Sequence, residues 1–194
     1  MLENQISILE KLLSVKVSEK RQEKYNNYKN ILGATEEDFI RLEERYNIKL
    51  PNDFKEFYRY KNGSGYHFHI LYPNCEGEHI EPFYLLSIDE MIEEKDNYYN
   101  DDELMSDYYD EDEISELDER IKPYLQNKNW IPFAALAGGS LYLLLDYDPT
   151  DKGTTGQIIS YIHDPDFIYY VADNFEELLE KSNKNLNEWD KIDY

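Results

Sequence analysis

Leu2, Ile6, Leu9 and Leu13 recur at helical spacing, which predicts an amphipathic helix at the start of the chain, followed by a polar stretch over residues 18–30. A second helix opens at Thr35, where Asp38 three residues on approximates a capping box and Phe39, Leu42 and Tyr46 mark one face up to a stop near Asn47. Ile48 and Leu50 lead into Pro51, whose missing N–H suits the first turn of another helix. Phe54, Phe57, Tyr58 and Lys61 carry that helix forward, and Asn62-Gly63 supplies a left-handed stop.

Beyond this stop the period shortens. Residues 66–72 alternate loosely and are rich in aromatic side chains, which predicts a strand, and residues 82–86 predict a second. Ser87 with Glu90 forms a capping box ahead of Met91 and Ile92, and Ile114, Leu117 and Ile121 mark a further helical face before Pro123. Residues 130–134 read as a short strand or edge segment, because Pro132 needs a place where no amide hydrogen is required. Gly138-Gly139 predicts a turn, and the apolar run from Leu141 to Asp146 predicts a strand covered on both faces.

Two further strands, 157–162 and 167–171, flank the turn residues His163-Asp164-Pro165-Asp166. Asp173 with Glu176 then opens a final helix that turns Phe175, Leu178 and Leu179 inward. Helices, a meandering sheet and a closing helix indicate an α+β fold, a single domain with a mostly antiparallel or mixed sheet flanked by helices.

A chain of 194 residues suits one core with additions. The expected layout is an N-terminal helical extension over 1–30, the domain over 31–181 with an acidic insert at 89–119, and a tail over 182–194. The single cysteine, Cys75, excludes an intramolecular disulfide framework and fits a reducing compartment, so the expected location is the cytoplasm. Near the start the apolar runs are only pairs, Ile8-Leu9 and Leu12-Leu13, which predicts neither a signal peptide nor a membrane span. The net charge of −22 argues against nucleic acid as a ligand and toward a partner protein with a basic surface.

That charge is concentrated. Between Asp89 and Glu119 sixteen acidic residues face one basic residue, Lys95, for a local net of −15. Such a block reads either as a solvated, partly disordered insert or as a binding surface. The first is the commoner outcome for such blocks, but Tyr98-Tyr99 and Tyr108-Tyr109 argue for the second, because tyrosine supplies rigid contact area with a polar tip. The candidate partner-binding residues are therefore Tyr98, Tyr99, Asp107, Tyr108, Tyr109, Asp110, Glu111 and Asp112.

Catalytic and metal chemistry find less support. His67, His69, Cys75 and His79 are all legal zinc ligands, yet their spacing matches no common finger. Cys75 has no orienting or oxyanion motif beside it, and the acidic run 101–113 lacks the glycine and ligand alternation of a calcium loop. The expectation is a protein with no catalytic residues, no metal and no cofactor.

Taken in order, six pieces of this chain resemble the SUKH superfamily, specifically its Smi/Knr-type domain. They are residues 40–51 ending in Leu50-Pro51, the aromatic helix 54–63, Trp130-Ile131-Pro132-Phe133, Leu141 to Asp146, residues 156–159, and Ala172-Asp173-Asn174-Phe175. The resemblance spans roughly residues 31–181. Asn174 stands where serine is usual, an adequate cap, and Gly139-Ser140 replaces a glycine followed by an acid, so any role of that acid is absent. The resemblance implies a non-enzymatic immunity protein, an antitoxin that sequesters a cognate bacterial toxin, often a nuclease. The alternative it leaves open is an intracellular scaffold or regulatory adaptor that binds host proteins. Basic nuclease clefts suit an acidic partner surface, which favours the first.

Overall fold

The structure is a computed structural model that describes residues 1–136 and 139–193. Helix starts follow the capping chemistry. Thr35 accepts from the Asp38 amide and Asp38 returns the bond to the Thr35 amide, opening α3 (Glu36–Tyr46), which Asn47 closes in the left-handed region; α1 (Leu2–Lys16) and α2 (Gln22–Lys29) precede it. Pro51 is the cap of α4 (Asn52–Tyr60) rather than its first residue, and Lys55 donates the first helical bond back to the Pro51 carbonyl. Ser87 and Glu90 open α5 (Ile88–Tyr98) with a second reciprocal box. Gly63 takes the left-handed conformation after α4, while Asn62 accepts the Ile88 amide at 2.9 Å and so helps cap α5.

The main sheet has the order β3-β6-β7-β8-β9, antiparallel throughout, built from Tyr84–Leu85, Trp130–Ala135, Leu141–Asp146, Gln157–Ile162 and Phe167–Ala172. Two small antiparallel pairs stand beside it: β1 (Asn74–Glu76) with β2 (His79–Ile80), and β4 (Glu103–Leu104) with β5 (Tyr124–Gln126). β6 is an interior strand, and Pro132 is tolerated in it because the register shifts between Pro132 and Ala134. The last helix, α7 (Phe175–Glu188), packs against β8 and β9 on one side and against α1 and α4 on others.

The core joins the two recognisable stretches to each other. Phe54 of α4 meets Phe133 and Phe175 edge-on, with ring centroids 5.6 and 5.5 Å apart, and all three rings are buried. Asp53 accepts the Glu176 amide at 3.0 Å, capping α7 from α4. Gly156, at φ +86°, lies against Pro51, where an added Cβ would come 2.9 Å from Pro51 Cγ. Trp130, Asp146 and Gln157 sit on adjacent strands in matched register, and the indole and amide donors both reach the Asp146 carboxylate at 2.9 Å.

Several expectations are corrected. Residues 66–72 form no strand: His67 turns at φ +58°, and only Leu71 makes an isolated bridge, to Phe83. The backbone there is satisfied instead by Phe83 and by the Ser182 hydroxyl, so no ladder partner is needed. The helical face over Ile114, Leu117 and Ile121 shrinks to the single turn α6 (Glu111–Ile114); Asp118 binds the Arg120 amide and guanidinium, holding the chain in turns. Asn174, not Asp173, caps α7 through the Glu177 amide. The polar stretch 18–30 contains α2, whose Tyr28 is buried with its hydroxyl on Glu10 at 2.6 Å. Lys61 leaves the helix pattern and is buried, donating to the carbonyl of Lys29, the last residue of α2, and to that of Ile31 just beyond it. Gly138, half of the expected turn, lies outside the described residues.

The N-terminal segment packs as part of this body. Leu2, Leu9, Leu12 and Leu13 are buried, and Asn183 of α7 donates to the Gln5 carbonyl and side chain at 2.9 and 3.0 Å. Val17 and Ile192 form a parallel bridge. No helix among the described residues is long and apolar enough to cross a membrane.

Candidate partner-binding surface

The acidic block is built into the fold rather than appended as a tail. α5 packs its buried Ile88 and Met91 inward against β6, and after it the chain forms β4, a short 3-10 turn over Met105–Asp107 that buries Met105, and α6. β4 is held by β5 from beyond the block. Asp110 caps α6, accepting the Glu113 amide at 2.9 Å while Glu113 accepts the Asp110 amide.

The tyrosines divide into two pairs with different roles. Tyr99 is 3% exposed, its ring edge-on to Tyr142 at 5.7 Å, and burial pushes its phenol well above the ordinary value. It belongs to the core. Tyr109 is half-buried, packed edge-on to Phe167 at 6.1 Å, with its hydroxyl donating to the Asp166 carbonyl. Tyr98 and Tyr108, by contrast, are 57% and 64% exposed, and Leu104 between them in sequence is exposed as well. Alternate members of each tyrosine pair thus anchor the segment and face solvent.

The charges divide in the same manner. Asp89 pairs with Arg41, Asp96 with Arg45, Asp102 with Lys128, Asp118 with Arg120 and Glu119 with Lys152. Hydrogen bonds from Arg45 and Lys128 hold the Asp96 and Asp102 carboxyls below the usual carboxylate range. Between these flanks, Asp107, Asp110, Glu111, Asp112, Glu113 and Glu116 form no ion pair among the described residues, and Asp107, Asp110, Glu111 and Asp112 are exposed. Glu90, Glu93, Glu94, Asp101 and Glu103 nearer the start of the block also form no ion pair among the described residues, so unneutralised charge runs through the block and is densest in its middle.

This middle borders a groove that residue-by-residue sequence reading did not locate. Along β9 lies a hollow of about 520 Å³, lined by Asn74, Glu116, Tyr169, Tyr170 and Lys184, and it adjoins one of about 240 Å³ lined by Tyr109, Glu113, Phe167 and Tyr169; Glu116 and Tyr169 border both. Arg120 stacks over Tyr170 at 3.2 Å from its centroid, and Tyr169 donates to Glu76 at 3.3 Å. The sequence signal was available in Phe167, Tyr169 and Tyr170, aromatic residues on a terminal strand that are only partly covered.

The Asp146 carboxyl is fully buried, its pKa raised by that burial, and Trp130, Gln157 and the Asp148 amide occupy it. Cys75 is buried with its thiol near the Pro73 carbonyl, and burial pushes the thiol up, away from the reactive thiolate. His67 and His69 stack around Tyr84, whereas His79 is exposed elsewhere, and among the described residues no group of three or more His, Cys, Asp or Glu is arranged to hold a metal ion.

An antiparallel sheet carrying grouped helices, with the Trp130–Asp146–Gln157 cluster inside, defines an α+β domain. Residues 33–181 match the model of the SMI1 / KNR4 family (SUKH-1), and the chain belongs to that family. No curated protein matches the chain.

Proposed function

We propose that this protein is a non-enzymatic immunity protein of the cytoplasm, which binds a cognate bacterial toxin bearing a basic surface and neutralises it by occupying that surface. The observation that carries the reading is the stretch from Asp107 to Glu116, acidic and without ion pairs among the described residues, with the exposed Tyr108 inside it and the exposed Tyr98 earlier in the same block. Unpaired like charges speed encounter with a basic protein, and exposed tyrosines provide anchors once water is excluded. Family membership supports the same reading, since the family is generally one of non-catalytic immunity or adaptor proteins. A nuclease is the toxin class whose phosphate-binding cleft best complements this surface.

The test is co-expression with the toxin encoded beside its gene. Expected are restored growth and a co-purifying complex, both weakened when the unpaired acids are replaced by their amides. Growth arrest with no complex rejects the proposal. Stable capture of a host protein without protection would support the adaptor reading instead.

A further inference from the structure

β9 is the terminal strand of the main sheet, with β1 packed against it. It pairs with β8 on one side, and among the described residues no strand pairs with the other. Two contacts mark the ends of that side: the Tyr109 hydroxyl on the Asp166 carbonyl, and Lys181 Nζ on the Val171 carbonyl at 2.9 Å. Exposed edges are usually blunted by lysine, proline, a bulge or a covering segment. Residues 167–171 are Phe, Ile, Tyr, Tyr and Val, with neither charge nor proline, and the register shift between β8 and β9 leaves Val171 unpaired at the α7 end, so the regular edge is 167–170.

We propose that this edge is a docking site for an extended, basic segment of a partner protein, which adds to the sheet as a further strand. The partner's identity as a toxin rests on the immunity reading; the docking mode does not. Ile168, Tyr169, Tyr170 and Val171 all line the larger hollow. Ile168 and Val171 are buried, but the successive residues Tyr169 and Tyr170 are both partly exposed, and a hollow that meets two successive residues runs along the strand's edge because a face presents alternate ones. The stretch 167–170 spans about 13 Å at ~3.3 Å per residue, enough for a main-chain ladder of several bonds.

Charge selects the occupant and its orientation. Glu113 and Glu116 line the smaller hollow beside Phe167 and Tyr169, while Lys181 and Lys184 line the opposite end of the larger one. The segment's lysines or arginines accordingly lie at the Phe167 end, with its aliphatic or aromatic side chains against Phe167 and Tyr169. Cationic side chains at the α7 end would meet like charge.

The experiment uses the full chain labelled with ¹⁵N and the synthetic peptide acetyl-Lys-Val-Lys-Val-Ser-Val-amide, cationic at one end only, alongside the same peptide N-methylated at the residues whose amides would face β9. Expected are amide shifts centred on residues 167–171, affinity about tenfold lower for the methylated peptide because its ladder donors are gone, and weaker binding to Glu113→Gln/Glu116→Gln. Equal affinity of the two peptides, shifts confined to residues 101–112, or no binding overturns the proposal. A Tyr169→Lys variant, checked for folding by circular dichroism, separates the two readings in the growth assay. If wild type protects and the folded variant protects equally, edge docking is rejected and the immunity reading stands. If wild type itself fails to protect, the immunity reading falls while the peptide result still decides the edge.

Discussion

Trp130 donates its indole N–H to Asp146 at 2.9 Å, and neither side chain reaches solvent. The carboxylate also accepts from Gln157 and from the Asp148 amide, so its lone pairs tie three neighbouring strands together at one end of the sheet. Asp146→Ala leaves buried donors without acceptors and is expected to destabilise by about 2–5 kcal/mol in urea unfolding. Asp146→Asn should cost less, since its oxygen still serves Trp130 while its amide faces the Gln157 donor. Burial raises the Asp146 pKa, so the folded state holds the proton more tightly than the unfolded chain. Wild-type stability relative to Asp146→Asn should therefore fall as pH climbs from about 4 through that raised value.

Phe175 contacts Phe54, Phe57, Tyr58 and Phe133. Truncating Phe175 or Phe54 to alanine removes a ring that nothing nearby can replace, and each should lower unfolding free energy by about 3–5 kcal/mol. Calorimetry showing a near-neutral effect at either position would contradict this core.

Lys95 is the one cation of the acidic block, yet it is buried, donating to the Lys128 carbonyl at 2.7 Å, and burial pulls its pKa down to about 8 despite Asp96 and Asp102 nearby. Above that pH the unfolded chain holds the proton that the folded state has released. Stability contributed at this site should thus rise from pH 8 toward the unfolded value of about 10.4. Comparing urea midpoints of wild type and Lys95→Met across that range isolates the effect from the tyrosines, and the difference should change steadily with pH.

Asp107→Asn/Glu111→Gln/Asp112→Asn removes charges that form no ion pair among the described residues. Stopped-flow association with the toxin should slow by about tenfold at low salt and lose most of its ionic-strength dependence, with little change in melting temperature. Asp110 is left in place because it caps α6.

Tyr99 and Tyr108 should separate folding from binding. Tyr99→Ala is expected to destabilise by about 3–5 kcal/mol, as for other buried aromatic truncations, whereas Tyr108→Ala should leave stability within about 0.5 kcal/mol and weaken the complex. Melting curves and calorimetric titration distinguish the two.

Much of the fold was legible because local chemistry and tertiary structure agree. Thr35 with Asp38, Ser87 with Glu90, and the apolar run through Leu144 specify their elements from within a few residues. Residues 66–72 misled because aromatic richness looks like a strand, whereas Phe68, Ile70, Leu71 and Tyr72 are buried around a turn. The surface was legible only as charge. Which tyrosine faces outward depends on where α5 ends and where Asp166 lies, and neither is encoded nearby. The groove needed the strand order, since nothing in residues 167–171 announces that, among the described residues, no strand pairs with the far side of β9.

The bridge between Val17 and Ile192 ties segments on both sides of the family-matched region, with the Ile192 amide on the Lys16 carbonyl at 2.9 Å and the Ser18 amide on the Ile192 carbonyl at 3.2 Å. The Ile192 side chain is fully buried, and Lys16 and Arg21 donate to the Asn187 and Asp193 carbonyls at 2.9 and 3.1 Å, so each flank holds the other against the domain.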